Sequence, residues 1–280
     1  MNTIPGVETF TVEPPGLGTA LRISIAPPGA VRPDLRLSAP VSEAQPAVYV
    51  TDGDFHFGTV TEAARMMTHI GEIRPTYVIG IGYAAERGDY EYANARRCLD
   101  LFVPPRRSVE VSPFGTTMEF GGADVFLRAL REHVLPDVEL RYARIEPTQR
   151  YLFGTSAGGQ FAAHVLSQAP QLFVGYAMMS PALQGWPMVR GARPVLDTIA
   201  SLPMDGIPRG TRVFLSAGEY EDDPGAPFAD AALLGNLYPL RAELATRGVQ
   251  TRLTVLPGET HTSVYGAAIS RALRYLLATS

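Results

Sequence analysis

The sequence has little of several features that mark particular protein classes. Cys98 is the only cysteine among 280 residues, so no internal disulfide can form and the fold does not depend on an oxidising compartment. The net charge of −4 is spread without long runs of one sign, which argues against nucleic acid or an anionic membrane surface as a partner. No apolar run is long enough to span a bilayer, and residues 1–6 lack the basic head and apolar core of an export signal. We therefore expect a soluble, cytoplasmic protein that acts on a small molecule.

The pattern of apolar segments predicts an α/β fold. Two short alternating runs, 8–12 and 20–25, flank a turn rich in proline and glycine, which predicts an N-terminal β-hairpin. Strand-like and helix-like runs then alternate, as is typical of a mainly parallel central sheet with helices on both faces. With 46% hydrophobic residues the chain can bury a sizeable core, and we expect a single domain over 1–280. The predicted strands are 47–51, 76–81, 152–153, 173–179, 212–216 and 251–256, and the predicted helices are 60–70, 123–134, 157–168, 230–247 and 264–278.

Two stretches lack clear periodicity. The segment that follows the strand 76–81 is expected to be a long polar loop as far as Pro105. The segment 181–210 is rich in proline and contains Trp186, the only tryptophan. Long irregular segments in compact domains are often functional, so we favour a cap over the site, with an ordinary long connection as the alternative.

The most informative stretch is the pentapeptide Gly-Thr-Ser-Ala-Gly at residues 154–158. A short apolar run ends at Gly154 and a helix-compatible run begins after Ser156, so the serine is predicted to lie on a sharp strand-to-helix turn. Small residues on both sides of the serine are needed for such a turn. The pattern is that of a nucleophile elbow, although the pentapeptide alone is common by chance.

A serine hydroxyl is a weak nucleophile and needs a base that is itself oriented by a carboxylate. His261 follows the predicted strand 251–256, and an acidic loop follows the strand 212–216. The chain order serine, acid, histidine is that of α/β-hydrolases, and loops after parallel strands meet at one edge of the sheet. We predict that Ser156 is the nucleophile and His261 the general base. The spacing leaves the acid open among Glu219, Glu221, Asp222 and Asp223, with the two glutamates ahead.

Acyl transfer also needs backbone N–H groups that stabilise an oxyanion. They usually come from the residue after the nucleophile and from an earlier strand-to-helix loop. Here these would be Ala157 and a residue of 52–55. No pair of histidines has the spacing of a helical metal site, and serine chemistry needs no metal or organic cofactor, so we expect none.

Further motifs resemble one family of α/β-hydrolases. Thr-Asp-Gly-Asp at 51–54, Gly-Ile-Gly-Tyr at 80–83 and Arg-Cys-Leu-Asp-Leu-Phe-Val-Pro at 97–104 are similar to motifs of the putative-esterase family, which includes esterase D, feruloyl esterases, mycolyltransferases and siderophore esterases. The match covers most of the chain from about Val48 onward, and together the motifs are far more specific than the pentapeptide. The segments 121–127, 180–183 and 258–264 also resemble the siderophore-esterase branch.

The resemblance implies two assignments that spacing leaves open. In the family the acid commonly stands three residues past the glycine that ends its strand, which here is Gly218 and implies Glu221 rather than Glu219. In mycolyltransferases the residue after the glycine of the Asp-Gly motif donates an oxyanion N–H, which implies Asp54. The implied function is a serine carboxylic-ester hydrolase that forms an acyl-enzyme.

The chain also departs from the family pattern. Thr155 stands where the family usually has histidine, and Val103 lies at or next to the place of a threonine in the substrate loop of siderophore esterases. Arg87, Arg96 and Arg97 are candidates for contacting a ferric catecholate, with surface or ion-pair roles as the alternative.

The substrate remains open at this point. A siderophore trilactone esterase, an acyltransferase that uses an alcohol acceptor, and a noncatalytic binding protein with a hydrolase fold are alternatives to a general esterase. We expect substrate preference to depend on the loops that carry Phe55, His56, Tyr83 and Trp186. The sequence makes no prediction of the oligomeric state.

Overall fold

A computed structural model describes residues 4–28, 44–84, 89–111, 116–184, 194–202 and 205–279. The strands in these ranges are β1 (Glu8–Val12), β2 (Leu21–Ala26), β3 (Gln45–Val50), β4 (Tyr77–Tyr83), β5 (Arg107–Val111), β6 (Thr116–Phe120), β7 (Ile145–Thr155), β8 (Gly175–Met179), β9 (Arg212–Gly218) and β10 (Gln250–Leu256). The helices are α1 (Gly53–His69), α2 (Tyr90–Leu101), α3 (Ala123–Ala129), α4 (Leu135–Arg141), α5 (Ala157–Gln168), α6 (Pro194–Ser201), α7 (Leu237–Thr246) and α8 (Val264–Leu277). A π-helical turn, Leu130–Val134, joins α3 to α4.

One large sheet organises the fold. Its strand order is β1-β2-β4-β3-β7-β8-β9-β10, and β5 and β6 form a separate antiparallel hairpin. The strand β2 is antiparallel to both β1 and β4, whereas all other neighbours in the large sheet are parallel. The carboxyl ends of β3, β7, β8, β9 and β10 therefore lie along the same edge, where ligand sites of such sheets form.

The large sheet has an apolar layer on each face. Successive side chains of a strand point to opposite faces. In β3, Val48 and Val50 belong to the apolar cluster formed with α1 and α8, whereas Ala47 and Tyr49 belong to the cluster formed with α2 to α7. The prediction of a mainly parallel sheet with helices on both faces is confirmed.

Several predicted elements agree with the structure, and others differ for local reasons. The N-terminal hairpin and the helix 157–168 are present as predicted. The helix α1 is longer than predicted because it begins directly after β3, which places its first turn at the site edge. The predicted loop as far as Pro105 is wrong, since it contains α2. The carboxylate of Asp89 caps that helix by accepting a hydrogen bond from the N–H of Tyr92 at 2.9 Å.

The segment 181–210 is described only in part. Within it, α6 packs Val195 and Ile199, 2% and 0% exposed, into the same apolar layer as α5. Trp186 lies outside the described residues. Across the ranges given above, every helix is too short or too polar to cross a bilayer.

Candidate active site

Ser156 lies on the turn between β7 and α5. Thr155 ends the strand, Ala157 begins the helix, and Ser156 between them has φ 53° and ψ −115°. Such a conformation is costly for a residue with a Cβ, and strain of this kind is concentrated at functional sites. Only glycine fits at 154, because a Cβ there would lie 2.1 Å from the carbonyl oxygen of Gly158. The sharp strand-to-helix turn predicted from the pentapeptide is present.

Three side chains from three loops form one hydrogen-bonded row at the carboxyl edge. His261, in the loop after β10, has its Nε2 3.1 Å from Oγ of Ser156. Its Nδ1 lies 3.2 Å from Oε2 of Glu221, which belongs to the loop after β9. The row joins hydroxyl, imidazole and carboxylate in the order that a base-activated nucleophile requires.

Two further donors hold Glu221, which is 1% exposed. Its Oε1 accepts hydrogen bonds from the backbone N–H of Gly218 and from the hydroxyl of Ser180, both at 2.6 Å. Ser180 is itself fully buried after β8, and its N–H donates to the carbonyl of Ser216. Since these donors occupy Oε1, the other oxygen is directed to His261. The sequence did not predict Ser180 as a site residue, although the segment 180–183 was recognised as similar to the siderophore-esterase branch.

The other acids of this loop have different partners. Glu219 is exposed, and its Oε2 accepts a hydrogen bond from the N–H of Gly258 at 2.8 Å. Asp222 accepts two backbone N–H groups from the segment before α7, at 3.1 and 2.7 Å. Of the acids that spacing left open, Glu221 is the one that contacts His261.

The amino ends of α1 and α5 lie close together, because β3 and β7 are neighbours in the sheet. A Cβ on Gly158 would lie 2.3 Å from Oγ1 of Thr51, the residue that follows β3. The first N–H groups of a helix have no intrahelical acceptor. Within the described residues, no acceptor takes a hydrogen bond from the N–H of Asp54 or Ala157. Both donors named for the oxyanion are therefore available to a ligand.

The side chains predicted for the substrate pocket lie in different surroundings. Phe55 is 39% exposed and stacks on Tyr90 with ring centroids 5.8 Å apart. Tyr83, in contrast, is 4% exposed, and its hydroxyl is hydrogen-bonded to Asp100 in the interior. The phenol of Tyr83 therefore offers little surface to a substrate.

His56 is packed against another aromatic side chain. Its ring centroid lies 3.8 Å from that of Tyr265 in α8. Burial lowers the pKa of His56 to about 4, so the imidazole is neutral at pH 7. The neutral ring can supply aromatic surface, one N–H donor and one acceptor nitrogen, but no charge.

Arg96 and Arg97, two of the candidates for contacting a ferric catecholate, are paired with carboxylates. Arg97 donates two hydrogen bonds to Asp52, and Arg96 donates two to Asp100. Both positive charges are thus balanced inside the protein. Arg87 lies outside the described residues. In the part of the chain that the structure covers, no three His, Cys, Asp or Glu side chains are grouped as ligands for a metal ion.

A family model with the description "Putative esterase" matches residues 30–276. The chain belongs to this esterase family. It is 29% identical to the ferri-bacillibactin esterase BesA of Bacillus subtilis over 284 residues. The alignment covers 98% of this chain and 91% of BesA. It is also 29% identical to the siderophore triacetylfusarinine C esterase of Aspergillus fumigatus over 247 residues. This alignment covers 81% of this chain and 80% of the relative.

Solved structures have the same fold. The siderophore hydrolase EstA from Aspergillus nidulans matches with a TM-score of 0.78 at 26% identity, over 97% of this chain and 94% of that one. The BES protein from Bacillus cereus matches with a TM-score of 0.78 at 24% identity, over 98% and 97%. The esterase is a carboxylic-ester hydrolase with the mixed α/β fold of α/β-hydrolases, in agreement with the prediction from sequence.

Proposed function

We propose that this esterase cleaves its substrate through an acyl-enzyme on Ser156, with His261 as general base and acid and Glu221 as the residue that orients the imidazole. The observation that supports this most directly is the hydrogen-bonded row, with distances of 3.1 Å from Ser156 to His261 and 3.2 Å from His261 to Glu221. The strained conformation of Ser156 is a second, independent sign of function.

In the acylation half, Oγ of Ser156 forms a bond to the ester carbonyl carbon while Nε2 of His261 accepts the hydroxyl proton. The carbonyl oxygen gains the negative charge and accepts hydrogen bonds from the N–H groups of Ala157 and Asp54. The C–O bond to the alcohol then breaks, and His261 gives its proton to the departing oxygen. Water repeats the sequence on the acyl-enzyme and releases the acid. No step needs a metal or an organic cofactor.

Labelling with a fluorophosphonate tests the assignment of the nucleophile. Wild-type protein should gain one phosphonyl adduct on the peptide that contains Ser156, and Ser156→Ala should gain none and lose about 10⁶-fold in kcat. Ser167→Ala is the control, because Ser167 is a buried serine in α5, the helix that follows Ser156, and its hydroxyl donates to the carbonyl of His164. Esterase activity in Ser156→Ala within tenfold of wild type would overturn the assignment.

We also propose that the substrate is a siderophore ester. BesA is named as a ferri-bacillibactin esterase and the Aspergillus fumigatus relative as a siderophore esterase, and their alignments cover 98% and 81% of this chain. The exposed stack of Phe55 on Tyr90 supports an aromatic or planar substrate, since it offers two ring faces beside the first turn of α1. Phe55, His56 and Trp186 remain predicted pocket residues, whereas the phenol of Tyr83 is buried against Asp100 and is no longer included.

A substrate panel tests this second proposal. It contains a catecholate trilactone, a hydroxamate siderophore ester, and p-nitrophenyl acetate and octanoate. The siderophore esters should have the highest kcat/KM, and Phe55→Ala should raise KM for them while leaving KM for the acetate within about twofold. A kcat/KM for both siderophore esters below that for the acetate would contradict the proposal without affecting the assignment of Ser156.

Two further predictions concern the compartment and the domain organisation. The cytoplasm stays the expected compartment on the ground of the single cysteine. Residues 1–280 are proposed to act as one catalytic unit, since the candidate site draws on elements from β3 to β10.

A further inference from the structure

Two aspartates flank Gly53 at the junction of β3 and α1, and each is bound by an arginine from a different element. Asp52 has a side chain that is 0% exposed. Arg97 of α2 donates from Nε to its Oδ1 at 2.9 Å and from a terminal nitrogen to its Oδ2 at 3.0 Å. Such a bidentate pair fixes orientation as well as distance.

Asp54 is held from the other side. Its carboxylate is paired with Arg22 of β2 and accepts a hydrogen bond from the N–H of Tyr83 at 2.7 Å. A Cβ on Gly82 would lie 2.5 Å from the same carboxylate, so glycine is required for this close approach to β4. The junction is thus connected to α2, β2 and β4 at once.

The backbone between these two aspartates carries the N–H proposed for the oxyanion. Asp52 has φ 53° and ψ 43°, a left-handed conformation that costs energy and persists only where neighbours impose it. Its carbonyl accepts the N–H groups of Phe55 and His56, at 2.9 and 3.0 Å. The N–H of Asp54 is left without an acceptor among the described residues. A small rotation at Asp52 would redirect that N–H.

We propose that Arg97 is a positioning residue for ester hydrolysis: through Asp52 it keeps the N–H of Asp54 directed at the oxyanion, and the pair of Arg22 with Asp54 is the second restraint. This inference rests on the proposed function of Ser156 and Asp54. A preorganised donor stabilises charge that develops in the transition state and does little for the bound ester. Loss of Arg97 should therefore lower kcat far more than it changes KM.

A merely structural ion pair gives a different result, and the chain provides a matched control. Arg150 of β7 has 18% side-chain exposure, the same as Arg97, and it also makes two hydrogen bonds, to Glu139 of α4. It pairs in the sheet with Ala47, near the start of β3 and away from the site edge. Removal of either arginine leaves a carboxylate unpaired, so both variants should lose stability.

The experiment compares Arg97→Met, Arg97→Lys and Arg150→Met in kcat, KM, Tm and affinity for an aryl trifluoromethyl ketone, which forms a hemiketal oxyanion on the serine. The chain has 24 arginines and no lysine, and the lysine variant tests whether the planar guanidinium matters beyond its charge. We expect Arg97→Met to lose about 10- to 100-fold in kcat. This is no more than the loss of about 100- to 1,000-fold that follows removal of one oxyanion donor, because the variant misdirects the donor and does not remove it. Its affinity for the ketone should fall by a similar factor, and its KM should stay within threefold.

Arg150→Met should keep kcat within threefold at a comparable loss of Tm. The inference is overturned if Arg97→Met keeps kcat within threefold, or if both methionine variants lose kcat equally. If Arg97→Met does not fold, the decision rests on Arg97→Lys, which cannot form the bidentate pair: the inference then requires a loss of more than threefold in kcat with KM unchanged, and a kcat within threefold overturns it. Failure of the proposed function is seen separately, as absence of the fluorophosphonate adduct on Ser156 in the wild-type protein.

Discussion

At the scale of single residues, Glu221 shows how one carboxylate among several comes to contact the candidate base His261. Three other acids share its loop, but the donors Gly218 N–H and Ser180 O–H lie where only the side chain at 221 reaches them. Glu219 points to Gly258 on the exposed side. The position of each acid here depends on the donors that surround it, which come from the turn after β8 and from β9.

This difference predicts unequal effects of two otherwise similar substitutions. Glu221→Gln should lower kcat by about 10⁴-fold, because the amide cannot hold the imidazole in the required tautomer. Glu219→Gln should stay within threefold of wild type, because the side chain is exposed and does not contact His261. Steady-state hydrolysis of p-nitrophenyl acetate measures both, with circular dichroism to verify folding. Equal losses in the two variants would reject the assignment of Glu221.

At the scale of secondary-structure elements, the site depends on the close approach of two strand-to-helix junctions. Gly158, in the first turn of α5, lies against Thr51 and Asp52 at the start of α1. A Cβ at 158 would be 2.3 Å from Oγ1 of Thr51 and 3.2 Å from Oδ2 of Asp52. The small residue is thus needed for the distance between the helices as well as for the turn at Ser156.

We predict that Gly158→Ala pushes the two junctions apart and that a second substitution corrects part of the effect. The single variant should lose about 1–3 kcal/mol of unfolding free energy, as overpacked sites do, and at least tenfold in kcat. Removal of the clashing hydroxyl in Gly158→Ala/Thr51→Ala should recover part of both losses. Urea denaturation and steady-state kinetics on the same preparations provide the measurement. A double variant no better than the single one would argue against this contact as the cause.

At the scale of the whole molecule, an apolar layer covers each face of the sheet, and part of the layer with α8 lies far from the site edge. The layer with α5 supports the candidate nucleophile directly, whereas α1 and α8 cover the other face of the sheet. The last turn of α8 lies near the amino end of β8, since a Cβ on Gly175 would be 3.0 Å from Leu276. Stability contributed there is distant from the edge that carries Ser156.

A core substitution in this region should separate stability from activity. Leu276 is 0% exposed, so Leu276→Ala should lower the unfolding free energy by about 2–5 kcal/mol through lost burial and the cavity that remains. The kcat at 25 °C should stay within twofold of wild type as long as the variant is folded. Urea titration gives the first value and initial rates give the second. A parallel loss of kcat would show that the two layers are coupled.

The sequence predicted most of the elements that place the site. The helix from 157 to 168 and the N-terminal hairpin follow from local patterns and agree with the structure. The helix α2 was missed because its buried positions, including Ala93, Cys98 and Leu101, are few within a polar segment, although Asp89 is a recognisable cap. Local periodicity contains no information on such a helix when tertiary contacts provide its stability.

The side-chain contacts that hold the site residues in place could not be predicted from the sequence, for another reason. The contact of Arg97 with Asp52 joins residues 45 positions apart, and that of Ser180 with Glu221 joins residues 41 apart. Neither pair has a spacing signal, because the sheet order rather than the chain order brings them together. The predicted pocket illustrates the same limit: Tyr83 is the last residue of the motif 80–83, yet its side chain turns inward to Asp100.

The backbone conformation at Ser156 predicts how this position would respond to selection for stability alone. With φ 53° and ψ −115°, this position suits glycine better than any residue with a side chain. If the protein were screened for heat resistance alone, we expect glycine to replace Ser156, with a gain in stability and, on the proposed role of this serine, a loss of esterase activity. With Ser156 as the proposed nucleophile, serine at this position is expected to serve turnover at a cost in stability.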